Sequence, residues 1–144
     1  MRIICSILFI LFSSVAGTSQ TLTPELLWKL GRLSDPRISP DGKTVIYNVK
    51  NYDLAANKGQ ADIFSVAYYG GEPVALANSP AEENSARWRP DGKKIGFMAA
   101  DKDGAMQLWE MNPDGSNKTQ ISKVAGGINC YGYAGSLSHI WYAA

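Results

Sequence analysis

The sequence has few of the residues on which catalysis, metal binding and disulfide bonding depend. Its 144 residues include one histidine and two cysteines. Cysteine pairs at the Cys-x-x-Cys spacing of many zinc sites do not occur in the sequence. The Gly-x-Ser-x-Gly motif, which presents a hydrolase serine on a strand-turn-helix, is also missing. The sequence therefore contains no complete catalytic site, and we expect no cofactor and no metal ion.

A charge excess of either sign is missing too. The chain has 14 lysine and arginine residues against 13 aspartate and glutamate residues, a formal net charge of +1. Proteins that bind nucleic acids or anionic membranes through electrostatics carry a basic patch or stripe. We therefore expect no nucleic-acid partner.

The first 19 residues have the layout of a secretory signal peptide. A positive residue precedes the apolar run Ile3–Phe12, and small residues follow up to a plausible cleavage point near Ala16 or Gly17. This run is about half of the roughly 20 residues that a membrane-spanning helix needs. The sequence thus predicts an exported protein, periplasmic or secreted, without a membrane anchor after cleavage. A buried N-terminal strand is the alternative. Cleavage would leave Cys130 alone, which predicts a small buried side chain and no internal disulfide.

Internal repetition is the most informative feature of the sequence. The segment Ser34–Val49, SDPRISPDGKTVIYNV, matches Asn84–Ala99, NSARWRPDGKKIGFMA, 50 residues later. Both contain Pro-Asp-Gly-Lys with an aromatic residue a few positions on. A third copy, Asn129–Ala144, has Gly135-Ser136-Leu137 in place of Pro-Asp-Gly. These copies predict three units that start near residues 34, 84 and 129.

Each unit has the pattern of about four short antiparallel strands. Proline, aspartate and glycine in this order favour a tight turn, because proline fixes φ and glycine accepts positive φ. The runs Thr44–Val49 and Lys94–Ala100 are apolar on both faces, which predicts strands covered on both sides. Units of this size are typical of propeller blades. We therefore predict an all-β fold, an incomplete β-propeller of about two and a half four-stranded blades over residues 34–144, with an ordinary β-sandwich as the alternative. Propellers typically have 4–8 blades, so these units would not close a ring.

Residues 20–33 predict a short helix and a lead-in to the first blade. Thr23 is a good N-cap, Pro24 suits the first helical position, and Gly31 can end the helix. Leucines at positions 26, 27 and 30 form an apolar stripe. The stripe predicts either packing against the edge of the propeller or binding to a partner.

Glu82 and Glu83 are the candidate substrate-binding residues, because two adjacent carboxylates on a loop could bind a substrate amine. Such pairs are more often simply solvated. His139 follows Ser138 directly, and neighbouring residues of a strand point to opposite faces, so this pair does not predict a catalytic dyad. The Asp101–Gly104 segment fits a hairpin turn better than a calcium loop. The four tryptophans, Trp28, Trp88, Trp109 and Trp141, favour packing between blades over a ligand platform.

Two segments carry a family resemblance. Leu22–Lys58, LTPELLWKLGRLSDPRISPDGKTVIYNVKNYDLAANK, and Ala105–Asn129 are similar to the propeller of bacterial dipeptidyl peptidases of the prolyl oligopeptidase family. The resemblance implies a serine exopeptidase that releases dipeptides from oligopeptides, in which the propeller gates and helps to bind the substrate. Its catalytic residues would belong to a C-terminal α/β-hydrolase domain that is absent from this chain, so the chain alone would not be an active enzyme.

Two alternatives remain open at this point. Periplasmic binding propellers of the Tol system share the Pro-Asp-Gly-Lys repeat and dock protein partners without catalysis. A decayed reading frame is the third interpretation, because the third copy of the repeat is eroded.

Overall fold

A computed structural model describes residues 21–135 and 139–144. The predicted signal peptide and the segment Ser136–Ser138 lie outside the described residues. The elements that the structure describes are α1 (Pro24–Lys29), β1 (Arg32–Ile38), β2 (Thr44–Asp53), β3 (Lys58–Ala67), β4 (Val74–Ala77), β5 (Glu83–Trp88), β6 (Ile95–Ala100), β7 (Met106–Met111), β8 (Thr119–Gln120), β9 (Cys130–Tyr133) and β10 (Ile140–Ala143). Within these ranges no helix is long and apolar enough to cross a bilayer.

The Pro-Asp-Gly-Lys motif forms the same turn in both copies. Gly42 and Gly92 have φ values of 74° and 69°, in the left-handed region that favours glycine. The Oδ1 atoms of Asp41 and Asp91 accept hydrogen bonds from the backbone N–H two residues later, at 3.1 and 3.0 Å. Each turn joins the first and second strands of its unit, so the repeat in the sequence is a repeat in the structure.

The strands form two four-stranded antiparallel sheets and one two-stranded sheet. The strand orders are β1-β2-β3-β4, β5-β6-β7-β8 and β10-β9. Each four-stranded sheet follows the order of the chain, as in a propeller blade. We call the sheets blade 1, blade 2 and the third unit. The predicted incomplete propeller is confirmed.

Apolar side chains fill the space between blade 1 and blade 2. Ile46 and Ile63 of blade 1 meet Ile95, Phe97 and Met111 of blade 2, and all are at most 2% exposed. A second cluster joins blade 2 to the third unit, and its buried members are Met98, Leu108, Ile128 and Tyr131. Strand β6 therefore lies in the middle and contributes to both clusters, as its apolar pattern predicts.

The prediction that the strand is covered on both faces is wrong for β2. Ile46 and Asn48 are buried on the face toward blade 2, whereas Val45, Tyr47 and Val49 on the other face are only partly buried. No described residue covers that outer face of blade 1 with another sheet. The outer face instead packs its own side chains together, with the Tyr47 and Phe64 rings stacked at 5.9 Å.

The β2–β3 hairpin is longer than the sequence pattern indicates. Both strands contain ten residues, and they stay in register until Asp53 pairs with Lys58. The Asp53 Oδ1 atom then accepts hydrogen bonds from the backbone N–H groups of Ala55 and Ala56, which closes the turn. In blade 2 the corresponding strand β6 ends at Ala100. The hairpin of blade 1 therefore projects beyond that of blade 2.

Helix α1 begins as predicted. The Thr23 Oγ1 atom accepts a hydrogen bond from the Leu26 backbone N–H at 3.2 Å, and Pro24 is the first helical residue. Leu27 and Leu30 are about half exposed, so the apolar stripe is not buried. The helix instead contacts the edge of blade 1 through Trp28, whose ring meets that of Tyr52 edge-on at 5.2 Å.

Two other predictions are corrected. Cys130 is exposed and not buried, because it begins β9 in a sheet with only one described neighbour, β10. Of the four tryptophans, Trp88 and Trp109 pack against the cluster between the blades. Trp28 and Trp141 are 39% and 56% exposed, so packing between blades is wrong for these two.

Candidate functional site

A cleft of about 350 Å³ lies between the tip of the long hairpin and the loop before blade 2. The hairpin supplies residues 51–53, 56 and 58–60, and the loop supplies Pro80 and Glu82. The Glu82 Oε1 atom lies 3.1 Å from Lys50 Nζ. Both side chains are more than a third exposed, so solvent screens the pair and it adds little stability. Glu82 is thus accessible to a ligand.

Glu83 is placed very differently from its neighbour. It is 3% exposed, and both carboxylate oxygens lie 3.2 Å from the backbone N–H of Ser79, which donates to them. The Glu83 carbonyl oxygen accepts a hydrogen bond from Asn48 Nδ2 at 3.1 Å. The structure therefore separates the two predicted carboxylates: Glu82 faces the cleft, and Glu83 holds the loop. Their binding of a substrate amine stays a prediction.

Beside the cleft, aromatic and basic side chains stack on one another. The Arg32 guanidinium lies 4.8 Å from the ring centres of both Trp28 and Tyr52. Lys50 Nζ lies 5.9 Å from the same tyrosine ring. Cation–π contacts of this kind are worth about 0.5–1 kcal/mol at exposed sites. The stack joins α1 to the hairpin, and its Tyr52 ring also lines the cleft.

A second cleft, of about 490 Å³, lies along the first strands of the two blades. Its lining includes Arg37 of β1 with Arg87 and Trp88 of β5. Asp35 lies between the two arginines, with its carboxylate oxygens 2.6 Å from Arg37 Nη2 and 3.5 Å from Arg87 Nη1. The Trp88 Nε1–H donates to the Arg37 carbonyl oxygen at 3.3 Å, which fixes the indole beside the pair.

Two tyrosines of the third unit, the buried Tyr131 and the partly buried Tyr133, brace blade 2 next to this cleft. The Tyr131 hydroxyl donates to the Ser85 carbonyl oxygen at 3.0 Å, and the Tyr133 hydroxyl donates to Glu110 Oε1 at 2.8 Å. Burial raises the pKa of Tyr131 well above its usual value, and burial together with Glu110 does the same to the pKa of Tyr133. Both hydroxyls therefore stay protonated and remain hydrogen-bond donors.

The other candidates of the sequence have structural positions. Asp101 Oδ1 accepts hydrogen bonds from the backbone N–H groups of Asp103 and Ala105, so the segment forms the expected hairpin turn. The His139 carbonyl oxygen accepts from the Ala134 N–H at 3.0 Å next to β10, and Ser138 lies outside the described residues. In the part of the chain that the structure describes, no three metal-ligating side chains come together.

Sequence reasoning missed the arginine pair, although a signal for it was present. Arg37 and Arg87 occupy the same position in the two aligned copies, three residues before the proline of the turn. The third copy has Gly132 there, and a side chain at that glycine would overlap the Trp141 indole.

Comparison with known proteins places this geometry in a family context. The chain is 33% identical over 126 residues to dipeptidyl-peptidase 5 of Porphyromonas endodontalis, a match that covers 88% of the chain and 18% of that protein. It is 40% identical over 96 residues to dipeptidyl-peptidase 5 of Porphyromonas gingivalis, which covers 67% of the chain and 14% of that protein. The chain is a partial homologue of dipeptidyl-peptidase 5. The predicted resemblance is confirmed, but the chain spans less than a fifth of the length of either dipeptidyl-peptidase 5. No family model matches the sequence.

Solved structures support the same fold. Acylaminoacyl peptidase of Pyrococcus horikoshii superposes with a TM-score of 0.66 at 22% identity, over 81% of this chain and 17% of that one. The β-propeller domain of the trilobed protease from Pyrococcus furiosus gives 0.61 at 24% identity, over 79% and 34%. A putative TolB from Agrobacterium tumefaciens gives 0.52 at 16% identity, over 78% and 53%. At these identities the likeness shows a propeller fold and does not distinguish dipeptidyl-peptidase 5 from TolB.

Proposed function

We propose that this chain is the non-catalytic propeller portion of an exported serine exopeptidase that releases dipeptides from oligopeptides. The observation that carries the proposal is the 33% identity to dipeptidyl-peptidase 5 over 126 residues, which include both complete blades. In this role the propeller limits access by size and helps to bind the peptide. The catalytic residues would come from an α/β-hydrolase domain outside this chain.

The residues of the chain support a binding role more than a catalytic one. The sequence contains no Gly-x-Ser-x-Gly motif, which presents the nucleophilic serine of α/β-hydrolases, and it contains a single histidine. The two clefts beside the blades, of about 350 and 490 Å³, are of the size that ligand sites commonly have. We expect the purified chain to release no dipeptides from oligopeptides. Release of dipeptides by the chain alone would contradict the proposal.

Glu82 is the residue we assign to the free amino end of the peptide. Its carboxylate is accessible at the cleft, and its partner Lys50 is held loosely enough to be exchanged for a substrate ammonium group. In the complete peptidase we expect Glu82→Gln to raise KM for peptides with a free amino end by about tenfold, which corresponds to about 1.4 kcal/mol. Glu72→Gln, in an exposed irregular segment before β4, is the matched control and should leave KM unchanged. Equal KM values for both variants would remove Glu82 from substrate binding.

The coding sequence beyond codon 144 provides the most direct test of the whole proposal. A reading frame that continues into a hydrolase domain with Gly-x-Ser-x-Gly supports the peptidase. A frame that continues with further blades and no hydrolase would refute it.

Export is a separate part of the proposal. It is supported by the sequence of residues 1–19, with a positive start, an apolar run and small residues before the cleavage point. Cell fractionation followed by N-terminal sequencing should give a periplasmic or secreted product that begins near residue 17 or 18. A cytoplasmic product that retains Met1 would contradict it.

A binding propeller of the Tol type is the second candidate function. The observation in its favour is the superposition on a putative TolB with a TM-score of 0.52. Such a protein would dock protein partners on the face of the ring. Co-purification of a stable protein complex from cells, together with the absence of peptidase activity from the complete gene product, would favour this candidate.

A further inference from the structure

The first strands of the two blades contain the same irregularity. The strand register shifts between Ser34 and Arg37 in β1, and between Asn84 and Arg87 in β5. Within each shift one residue adopts a left-handed backbone, Asp35 at φ 49° and Ser85 at φ 56°. Bulges bend a strand and change the direction of the side chains that follow, and they are common next to binding sites. Each bulge here is followed two residues later by an arginine.

The bulge in blade 2 is held from outside its own sheet. The buried Tyr131 of the third unit donates its hydroxyl hydrogen to the Ser85 carbonyl oxygen at 3.0 Å. A left-handed non-glycine residue is unfavourable in isolation, so it persists only where the surroundings enforce it. The third unit thus contributes to the position of Arg87.

The two arginines share one carboxylate. Asp35 lies 2.6 Å from Arg37 and 3.5 Å from Arg87, and among the described residues it is the only acidic group within salt-bridge distance of Arg87. Two guanidinium groups and one carboxylate leave an excess of one positive charge. Each guanidinium has five N–H donors, so the pair has ten, and a single carboxylate can accept only a few of them. The side chains are 47% and 35% exposed, so their remaining donors can reach a ligand.

The surroundings of the pair suit a planar anion. The cleft beside it measures about 490 Å³, and its walls include Trp88, whose indole is fixed by the hydrogen bond to the Arg37 carbonyl oxygen, and the half-exposed Ile38. Arginine binds carboxylates with two parallel hydrogen bonds, which compact cations such as lysine cannot do. In a propeller the first strand of each blade faces the central channel, so a peptide in the channel would pass this cleft.

We propose that Arg37 and Arg87 bind a carboxylate group of a peptide at the channel side of blades 1 and 2. The proposal rests on the peptide-binding function proposed above and deepens it by naming the group that is recognised. The carboxylate can come from the C-terminus of the peptide or from an acidic side chain. The third copy has Gly132 at the aligned position, so the third unit adds no arginine to this site.

The test is a titration of the full chain with three peptides, followed through the arginine Nε–H signals in nitrogen-15 NMR spectra. All three are N-acetylated, so that Glu82 cannot bind a free amine: tetra-alanine with a free C-terminal carboxylate, amidated tetra-alanine, and amidated Ala-Ala-Glu-Ala. We expect the signals of Arg37 and Arg87 to shift with at least one carboxylate-bearing peptide, with a Kd at least about tenfold lower than for amidated tetra-alanine. The comparison of the first and third peptides identifies the source of the carboxylate.

Variants then assign the preference to these residues. Arg37→Gln and Arg87→Gln should each remove the preference for a carboxylate, whereas Lys102→Gln, at an exposed turn, should keep it. Arg87→Lys retains the charge and should lose most of the preference, because it removes the planar fork. Equal Kd values for the three peptides would refute the carboxylate site while peptide binding itself stands. Absence of binding by all three peptides, or a preference that survives in the glutamine variants, would refute it as well. This experiment does not measure peptidase activity. It can therefore refute the carboxylate site without refuting the proposal that the complete protein is a peptidase.

Discussion

Replacement of Gly115 by alanine tests whether the turns of one blade lock against the next. Gly115 lies in the turn between β7 and β8 with φ 83°, and a Cβ atom there would lie 2.8 Å from the carbonyl oxygen and 3.0 Å from the Cα atom of Leu76. Leu76 belongs to β4 of blade 1, so the obstacle is the backbone of the neighbouring blade and cannot rotate away. Gly104 is the matched control, because it lies in the turn between β6 and β7 with φ 86° and its Cβ would meet nothing within 4 Å.

The two substitutions share one cost and differ in another. Alanine in the left-handed region costs about 1–2 kcal/mol at either position. Only Gly115→Ala also forces two backbones apart, and overpacking of this kind costs typically about 1–3 kcal/mol more. We therefore expect Gly104→Ala to lower the free energy of unfolding by about 1–2 kcal/mol and Gly115→Ala by about 2–5 kcal/mol. Urea denaturation of the full chain, followed by tryptophan fluorescence, measures both values. Equal losses would show that the turn does not press against Leu76, and the described packing of the blades would be wrong there.

Three further predictions concern the packing and the charges of blade 2. Phe97→Ala should lower the free energy of unfolding by about 3–5 kcal/mol, because the ring is 2% exposed between the two blades; a loss below about 1 kcal/mol in urea denaturation would contradict this core. The hydrogen bond from the Arg89 guanidinium holds the pKa of Asp91 below its usual value of 3.8 in the folded protein. The ionised carboxylate therefore stabilises the fold fully above pH 3.8. This stabilisation is lost as the pH falls through the lower pKa of the folded state. Thermal melts at decreasing pH should therefore show a smaller acid-induced loss for Asp91→Asn than for the unmodified chain, and identical profiles would count against the assignment. Trp88→Phe removes the donor to the Arg37 carbonyl oxygen while it keeps an aromatic ring, so the loss should be about 0.5–1.5 kcal/mol in the same denaturation assay, and a stabilised variant would be the contrary result.

The fold could be predicted because its main signal is local and repeated. Pro-Asp-Gly-Lys determines a turn through the φ of its proline and glycine, and the recurrence of the motif identifies the blades without knowledge of any contact. The helix start was predictable for the same reason, since Thr23 and Pro24 act within one turn of the chain.

Features that depend on contacts between blades were not predictable in this way. The exposure of Cys130 and of the outer face of β2 depends on which sheets lie beside them, and a short apolar run does not contain this information. The extension of β2 to Asp53 was missed because Asn51 and Asp53 are polar and exposed, and pairing with β3 holds them in the strand. The opposite orientations of Glu82 and Glu83 likewise follow from the surrounding loop and not from their adjacency.

The sequence pattern did not predict the bulges in β1 and β5 either. Asp35 and Ser85 share a backbone conformation but not a residue type, and neither is glycine. The repeated arginine after each bulge was the one visible sign of this shared geometry.

The long hairpin of blade 1 makes one side of the molecule uneven. Strand β2 continues for three residues beyond the position that aligns with Ala100, where β6 ends. At about 3.3 Å per residue, the hairpin of blade 1 extends about 10 Å beyond the end of β6 in blade 2. A flat, rigid protein surface on this side would contact the tip of the hairpin and leave a gap over blade 2. An extended peptide could lie along the base of the projecting hairpin. The shape of this side therefore suits a peptide ligand better than a broad protein surface.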